Sequence, residues 1–324
     1  MTQRRATATA HANIALIKYW GKRDEELVLP YTSSLSLTLD GLRTVTTVEF
    51  GDLPADTATL DGEPLHGTAL TRISTFLDLV RERAGLHSHA TVTSRNEVPT
   101  AAGLASSASG FAALAGAAAA AAGLDLDARA LSRLARRGSG SASRSIYGGL
   151  ALWHAGHDDE SSFAEPIHSP LDLAILVILV DDSAKSVSSR VAMRSTVATS
   201  PLFFRWVEDS ARDLEIALRA VAEGDLATLG ETAEANALGM HATMRAAVPP
   251  ISYFTSGTQE ALAAVREARA AGLPAWATID AGANVKVLTS AADAERLAEW
   301  LRARLAGLTI SVDYPGPGIA IDKG

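Results

Sequence analysis

The chain has no cysteine among its 324 residues. Disulfide bonds, thiolate metal ligands and a cysteine nucleophile are therefore excluded, and the composition is compatible with a reducing cytosol. Positive charge is also in deficit, because 29 Lys and Arg stand against 37 Asp and Glu, a formal net charge of −8. This balance argues against nucleic acid or an anionic membrane as the main partner, although a local basic cluster could still bind a small anion.

Long apolar segments are missing as well. Residues 106–124 carry no charge, but they are mostly Ala, Gly and Ser and too weakly apolar to favour lipid. The run LAILVILV at residues 173–180 is short and indicates a buried strand. Near the first residues, the apolar run IALI ends at Lys18, so we expect no signal peptide. We therefore expect a soluble, cytoplasmic protein.

Several common catalytic motifs are absent too. The eight His have no metal-ligand spacing such as H-E-x-x-H. There is no G-x-S-x-G elbow and no strand-linked G-x-G-x-x-G. What remains is an ordinary globular composition, 47% hydrophobic and 20% charged, with a length that suits one large domain or two lobes.

The pattern of secondary structure mixes sheet and helix. Thr-rich apolar runs over residues 6–50 predict strands, and the spacing from Leu70 to Val80 predicts a helix that ends at Gly85. Regular βαβ alternation is missing, so the pattern favours the α+β class. The pattern of predicted helices and strands changes near residue 183, which predicts two lobes, residues 1–182 and 183–324. The later part is predicted to hold helices at 202–223, 225–246, 256–271 and 291–305, with strands AWATI, VKVLT and LTISVDY.

One small-residue stretch lies directly before an alanine-rich helix. PTAAGLASSASG, at residues 99–110, would leave backbone N–H groups bare at the positive end of that helix, where an anion can bind. Ser106, Ser107 and Ser109 could add hydroxyls to a phosphate or a metal ion. No Lys follows the glycines, so this is not a Walker A loop. By itself the stretch is equally well explained by close helix packing.

Four charged stretches also have a functional and a structural interpretation. The arginines of RRGSGSASRS (136–145) either bind anions through their forked guanidinium groups or belong to a solvated loop. The lysines at 18 and 22 either bind anions or merely extend their ammonium groups to solvent. Asp280 in DAGAN is either an Asx turn or an ionised carboxylate held at a cleft. AKSVSSRVAMR (184–194) groups Lys185, Ser189 and Arg190, which as a surface helix start would need no function.

Together these segments resemble one known family. NIALIKYWGK, PTAAGLASSASG, RRGSGSASRS and DAGAN occur in the order and spacing of the diphosphomevalonate decarboxylases of the GHMP kinase superfamily, over about residues 6–290. The resemblance implies a GHMP kinase fold, with a ribosomal-protein-like N-terminal lobe and a ferredoxin-like C-terminal lobe around a central cleft. It implies decarboxylation of (R)-5-diphosphomevalonate with ATP and Mg²⁺, in the mevalonate pathway, by a homodimer.

The resemblance also implies roles for individual residues. Asp280 matches the carboxylate near the substrate's 3-hydroxyl, Lys18 the lysine beside it, and Arg144 the arginine that grips the substrate carboxylate. Ser107 matches the serine that reaches the ATP phosphates and Mg²⁺. The other substrate-binding residues implied are Tyr19, Lys22, Ser139, Ser141, Ser189, Arg190 and Met193. The other ATP-binding residues implied are Ser94, Asn96, Ala102, Gly103, Leu104, Ala105, Ser106 and Lys185.

Alternatives stay open at this point. A phosphomevalonate decarboxylase and a mevalonate-type kinase that stops after phosphoryl transfer are the nearest, and a non-catalytic nucleotide-binding protein is a third. Lys18 with Asp280 favours decarboxylation, and Lys22 with Arg190 favours a diphosphate. The chain departs from the usual family pattern at four positions. Of these, Ala283 replaces a turn proline and predicts a less rigid turn, and the others are Thr32, Val98 and Ser143.

Overall fold

The computed structural model describes residues 4–97, 107–181 and 187–323. The strands in these residues are β1 (Arg5–Ile17), β2 (Lys22–Asp24), β3 (Leu29–Pro30), β4 (Ser34–Gly51), β5 (Thr57–Leu60), β6 (Glu63–Pro64), β7 (His89–Glu97), β8 (Leu150–Trp153), β9 (Ala164–Ile167), β10 (Leu173–Leu179), β11 (Trp276–Ile279), β12 (Val285–Ser290), β13 (Thr309–Asp313) and β14 (Ala320–Asp322). The helices are α1 (Gly67–Ala84), α2 (Ser107–Ala121), α3 (Ala128–Gly138), α4 (Ser189–Thr199), α5 (Phe203–Glu223), α6 (Leu226–Arg245), α7 (Ser256–Ala270) and α8 (Ala294–Arg304), with 3₁₀ helices at Gly140–Ile146 and Ala291–Asp293.

The first lobe is built on an eight-stranded sheet in the order β14-β1-β4-β7-β5-β6, with β8 and β9 attached through β4. The long strands β1 and β4 pair antiparallel. Buried and more exposed side chains alternate at the start of β1 and over much of the second part of β4, whereas the end of β1 and the start of β4 are buried at every position. Helix α2 lies in that core with most of its alanines fully buried. A Cβ at Gly116 would lie 2.6 Å from the side chain of Ile319. The alanine-rich tract is therefore a close-packing face.

The second lobe is built on a four-stranded antiparallel sheet in the order β11-β12-β10-β13. Helices α7 and α8 bury their apolar faces against it. A separate apolar cluster joins the two lobes, because it contains side chains of β1 and β4, of β10, and of helices α5 and α6. The end of β1 and the turn after β11 consequently meet between the lobes.

The predicted α+β class and the two-lobed fold are confirmed. The boundary at 182/183 stays a prediction; the chain passes from the first sheet to the second between Ile167 and Leu173, and β14 returns to the first. The solvated-loop interpretation of RRGSGSASRS is wrong, because Gly140–Ile146 form a 3₁₀ helix in which all residues but one are buried. Across the described ranges, no helix has both the length and the apolar character needed to cross a membrane.

Candidate active site

A cleft of about 840 Å³ lies between the lobes and is lined by residues of both. This volume is near the upper end of the range for small-molecule sites. Eleven of the residues singled out from the sequence contribute to its lining. They are Lys18, Tyr19, Lys22, Ser107, Ser139, Ser141, Arg144, Ser189, Arg190, Met193 and Asp280.

Asp280 is held between two buried lysines. Its Oδ1 lies 2.8 Å from Nζ of Lys18, and its Oδ2 lies 3.3 Å from Nζ of Lys286. Burial alone would raise the pKa of Asp280, but the two ammonium groups outweigh it and hold that pKa well below its usual range. The side chain is still 39% exposed. A permanently charged carboxylate therefore faces the cleft.

The backbone of Lys18 is fixed by hydrogen bonds at both its N–H and its C=O. Its N–H donates to Oδ1 of Asn236 at 2.8 Å, and its C=O accepts from the hydroxyl of Thr32 at 3.2 Å. The Nζ group also donates to the C=O of Ala15 at 2.9 Å. Thr32, one of the departures from the family pattern, thus supports the lysine directly. Burial lowers the pKa of Lys18, and the contact with Asp280 offsets part of that effect.

The DAGAN turn is anchored without the usual proline. The C=O of Ala283 accepts from the hydroxyl of Thr258 at 2.8 Å. Oδ1 of Asn284 accepts from the N–H groups of Val180 and Asp181 at 2.8 and 2.9 Å, which ties the turn to the end of β10. Hydrogen bonds to neighbouring segments therefore supply restraints that a proline would otherwise provide.

His241 supports the same turn from α6. Its Nε2 lies 3.2 Å from the C=O of Asp280 and 3.3 Å from that of Ile279, and both of these groups can only accept. Nε2 must therefore carry the hydrogen. Burial lowers the pKa of His241 to about 4, so the ring is neutral at physiological pH. The backbone of Asp280 is thus fixed independently of its carboxylate.

Arg144 is a buried arginine that lines the cleft. Nε and Nη2 donate to Oδ1 of Asn13 at 3.2 and 3.0 Å, and Nη1 donates to the hydroxyl of Ser34. Burial lowers its pKa to about 10, which still leaves the guanidinium charged near neutral pH. Its orientation is set by neutral partners, so its charge remains available to an anion in the cleft.

Tyr19 presents an unsatisfied hydroxyl. Its Oη is buried and has no hydrogen-bond partner within the described part of the chain, although the residue lines the cleft. The ring packs edge-on against Trp153 at 4.8 Å. Gly140 lies against both rings, and a Cβ there would come within 2.7 Å of Trp153 and 2.9 Å of Tyr19. Gly140 is therefore required for close packing beside the site.

A group of cations lies toward α4. Ser188 caps this helix by accepting from the N–H of Val191, so Ser189 and Arg190 form its first turn beside the cleft. A helix start without acidic residues attracts anions. Arg72 of α1 also lines the cleft and is close enough to Arg190 for their charges to interact. This end of the cleft suits a strongly anionic group.

Lys22 is already paired in the structure. Its Nζ lies 3.0 Å from Oε2 of Glu25, and Nε of Arg194 lies 3.0 Å from Oε1 of the same carboxylate. The hydrogen bond from Arg194, and then the contact with Lys22, lower the pKa of Glu25 to about 2. An anion that binds Lys22 must therefore compete with a charged carboxylate.

The residues predicted to bind the nucleotide are only partly described. Ser107 begins α2 at the cleft, with its hydroxyl 3.1 Å from that of Ser139. Ser94 and Asn96 lie on β7 and bond to Thr46 and Thr44, outside the cleft lining of the described chain, so their role stays a prediction. The other positions predicted for ATP, and the departure at Val98, fall outside the described residues: Ala102, Gly103, Leu104, Ala105, Ser106 and Lys185.

A magnesium ion would find few protein ligands here. In the described ranges there is no group of three or more His, Asp or Glu side chains that could hold a metal. Mg²⁺ commonly binds through substrate phosphates and water with one or two protein oxygens. The exposed hydroxyl of Ser107 at the start of α2 fits that mode.

Sequence reasoning missed five residues of the site: Asn13, Glu25, Arg72, His241 and Lys286. Lys286 carried a signal, since a lone lysine stands between two valines in the strand that leaves the DAGAN turn. Asn13 lies inside the NIALIKYWGK motif but was not singled out. The remaining three come from elements whose approach to the cleft depends on tertiary packing.

The two lobes match separate family models. Residues 10–164 match the diphosphomevalonate decarboxylase-like N-terminal domain. Residues 175–313 match the mevalonate 5-diphosphate decarboxylase C-terminal domain. Among curated proteins, the diphosphomevalonate decarboxylase of Aspergillus fumigatus is 38% identical over 96% of this chain and 83% of its own. The human diphosphomevalonate decarboxylase is 39% identical over 87% of this chain and 76% of its own.

Solved structures give the same result. A mevalonate diphosphate decarboxylase from Enterococcus faecalis is 48% identical, with a TM-score of 0.94 over 99% of both chains. One from Staphylococcus aureus is 43% identical, with a TM-score of 0.94 over 98% of both chains. A structure of MDDEF in complex with MVAPP, AMPPCP and magnesium is 48% identical, with a TM-score of 0.95 over 99% of both chains.

Proposed function

Because this chain belongs to the diphosphomevalonate decarboxylase family, we propose that the Lys18–Asp280 pair and Arg144 form the centre at which it carries out the family's reaction. The enzyme converts ATP and (R)-5-diphosphomevalonate into isopentenyl diphosphate, CO2, ADP and phosphate, in the mevalonate pathway. The observation that carries the assignment of the centre is the 2.8 Å ion pair between Lys18 of the first lobe and Asp280 of the second, inside a cleft that Arg144 also lines.

The first step is phosphoryl transfer to the substrate's tertiary hydroxyl. The hydroxyl oxygen attacks the γ-phosphorus of ATP, ADP leaves, and the hydroxyl proton is lost to solvent or phosphate. Mg²⁺ would supply positive charge to the nucleotide phosphates when bound, and the hydroxyl of Ser107 would be the side-chain group available to hold it. Because such transfer depends on positioning and charge, the fixed carboxylate of Asp280 and the ammonium of Lys18 orient the hydroxyl and stabilise the charge that moves.

The second step is loss of phosphate and CO2. Departure of the phosphate leaves positive charge at C3, which the ionised Asp280 stabilises. The bond between C1 and C2 then breaks, and its electrons form the new double bond between C2 and C3. Arg144 holds the C1 carboxylate until it leaves as CO2, and a guanidinium fork is well shaped for that group.

The substrate's diphosphate belongs at the α4 end of the cleft. Lys22, Arg190 and Arg72 supply positive charge, and the first turn of α4 adds the positive end of a helix. The unpartnered hydroxyl of Tyr19 is available as a donor beside them. A diphosphate carries more negative charge than a monophosphate and makes fuller use of these groups. This charge distribution favours diphosphomevalonate over phosphomevalonate as the substrate.

We expect the monophosphate to be at least roughly tenfold poorer in kcat/KM, because one charged hydrogen bond contributes about 1.5–3 kcal/mol. The preference should shrink in Arg190→Ala, which has less terminal-phosphate binding to lose. Both substrates are assayed with both proteins, which gives a double-mutant cycle in substrate and enzyme. Equal use of the two substrates by the unmodified enzyme would instead favour a phosphomevalonate decarboxylase. An unchanged preference in Arg190→Ala would show that Arg190 does not contact the terminal phosphate.

Glu25→Gln is expected to lower the KM for diphosphomevalonate by about two- to fivefold with kcat unchanged. In this variant Lys22 no longer has to break its ion pair with Glu25 before it binds the substrate, and a partly exposed ion pair contributes about 0.2–1 kcal/mol. Steady-state kinetics at low ionic strength measure the change. Glu26→Gln removes the same charge from the neighbouring exposed residue and serves as the control. A raised KM in Glu25→Gln would mean that the carboxylate orients Lys22 for the substrate rather than competing with it.

The proposal includes a cytoplasmic homodimer. The lack of cysteine is compatible with a reducing compartment. Val191, Leu202, Phe204 and Val248 are exposed large apolar side chains, which supports a contact between copies. Sedimentation of the purified enzyme over a range of concentrations tests the assembly, and a constant monomer mass would remove the dimer from the proposal.

A further inference from the structure

The carboxylate of Asp280 has two cationic partners, and one of them has no role in the reaction assigned so far. Lys18 contacts Oδ1 and Lys286 contacts Oδ2, so each carboxylate oxygen has its own ammonium group. Nζ of Lys286 also donates to the C=O of Asn284 at 3.4 Å. Lys286 is only 2% exposed. A buried lysine is costly unless it is paired, and the ionisable partner of this one is Asp280.

The strand alternation explains how the lysine reaches this position. In β12 the neighbours Val285 and Val287 are fully buried in the core of the second lobe. Lys286 therefore points to the opposite face of the sheet, beside its cross-strand partner Thr278. The hydroxyl of Thr278 donates to the C=O of Ala15, the same group that Lys18 contacts. The register of the β11–β12 hairpin consequently delivers a second ammonium group to the point where the lobes meet.

Among the described residues around the Asp280 carboxylate, positive charge exceeds negative charge. Lys18, Lys286 and Arg144 carry charges that act on this carboxylate, and His241, which contacts its backbone, is neutral. One lysine would suffice to neutralise the aspartate. Such an excess of buried positive charge is expected where anionic groups must enter. The substrate carboxylate and the transferring phosphoryl group are anions of this kind.

From this geometry we propose that Lys286 is a positioning residue of the reaction, which fixes the second oxygen of Asp280 so that the carboxylate stays ionised and cannot rotate away from the substrate. The inference rests on the proposed role of Asp280. With both oxygens bonded to ammonium groups, Asp280 acts as a fixed negative charge toward C3 rather than as a strong base. Lys18 alone would leave Oδ2 free to turn.

Lys286→Met is expected to lower kcat about tenfold or more while the KM values for ATP and diphosphomevalonate change less than about threefold. Methionine keeps much of the side-chain volume and removes the charge. Lys286→Arg, which keeps the charge, should recover part of the lost kcat. The matched control is Thr289→Val on the same strand, which removes the buried 2.6 Å hydrogen bond to the C=O of Pro274 without touching the cleft. It should lower the Tm and leave kcat unchanged.

Thermal unfolding provides a readout that does not depend on turnover. In Asp280→Asn the ammonium of Lys286 loses its counter-charge, so adding Lys286→Met should raise the Tm relative to Asp280→Asn alone. In the unmodified enzyme, Lys286→Met should change the Tm in a clearly less stabilising direction than it does in Asp280→Asn. This difference between the two backgrounds measures the coupling of the pair. An identical Tm change in both backgrounds would overturn the proposed pairing.

These experiments distinguish a failure of the proposed role of Lys286 from a failure of the proposed function. If the unmodified enzyme decarboxylates diphosphomevalonate and Lys286→Met retains its full kcat, the inference about Lys286 is wrong and the proposed function stands. If kcat falls equally in Lys286→Met and Thr289→Val, the lysine is merely structural and the inference is again wrong. If the unmodified enzyme releases no CO2, the proposed function fails, whatever the unfolding data show about the pair.

Discussion

Asp280→Asn is expected to reduce turnover by about 10³-fold or more while diphosphomevalonate still binds as tightly as before, or more tightly. The substitution keeps the shape of the side chain but removes the only negative charge between Lys18 and Lys286. Loss of a preorganised charge at a reacting centre typically costs about 10²–10³ in rate, and here it acts on both steps. The anionic substrate meets an uncompensated cluster of cations, so its affinity should not fall. Single-turnover kinetics and titration calorimetry measure the two quantities.

Asp225→Asn is the matched control for this substitution. Asp225 caps α6 by accepting from the N–H of Thr228, and asparagine is an equally good helix cap. Kinetics and Tm should both stay unchanged in the control. Removing one partner of a buried pair can cost about 3–5 kcal/mol of stability, so the Tm of Asp280→Asn must be measured as well. Near-normal turnover in folded Asp280→Asn would contradict the assignment of the reaction centre.

Arg144→Gln is expected to lower kcat/KM for diphosphomevalonate by about 100-fold or more, with the KM for ATP little changed. Glutamine can still reach toward Asn13 or Ser34 but cannot supply a charged fork to the substrate carboxylate. Two charged hydrogen bonds at about 1.5–3 kcal/mol each account for a loss of this size. Steady-state kinetics with each substrate varied in turn give both values.

Two further variants bracket this result. Arg144→Lys keeps the charge and loses the fork, so its kcat/KM should lie between those of the unmodified enzyme and Arg144→Gln. Arg133→Gln removes an arginine that pairs with Asp159 and Glu160 outside the described cleft lining, and its kinetics should be normal. If the KM for ATP rose as much as that for diphosphomevalonate, Arg144 would not be specific to the substrate carboxylate.

The sequence predicted those parts of the fold that depend on local pattern. The helix that ends at Gly85 is confirmed, since this glycine has a φ of 62° in the left-handed region and its N–H bonds to the C=O of Arg81. The strand at residues 173–180 is found as β10. The solvated-loop interpretation of RRGSGSASRS is wrong, because small polar residues indicate such a loop unless the packing of Gly140 against Tyr19 and Trp153 is known. That packing arises only once the lobe has folded.

The same division applies to the site. Lys18, Arg144 and Asp280 were predicted from motif resemblance, and the cleft brings all three together. Lys286 contacts Asp280 only because the register of one hairpin turns it away from the valines beside it. Glu25 pairs with Arg194 across 169 positions of the chain. Such partners depend on strand register and lobe packing, and neither is encoded in a short motif.

The most direct test of the account follows the substrate carboxyl carbon. The enzyme is incubated with ATP, Mg²⁺ and carboxyl-labelled diphosphomevalonate, and labelled CO2, ADP and inorganic phosphate are counted over the same interval. A decarboxylase that phosphorylates the tertiary hydroxyl and then eliminates phosphate must release the three in equal amounts. ADP formed without labelled CO2 and phosphate would identify a kinase that stops after phosphoryl transfer, and would contradict the central claim.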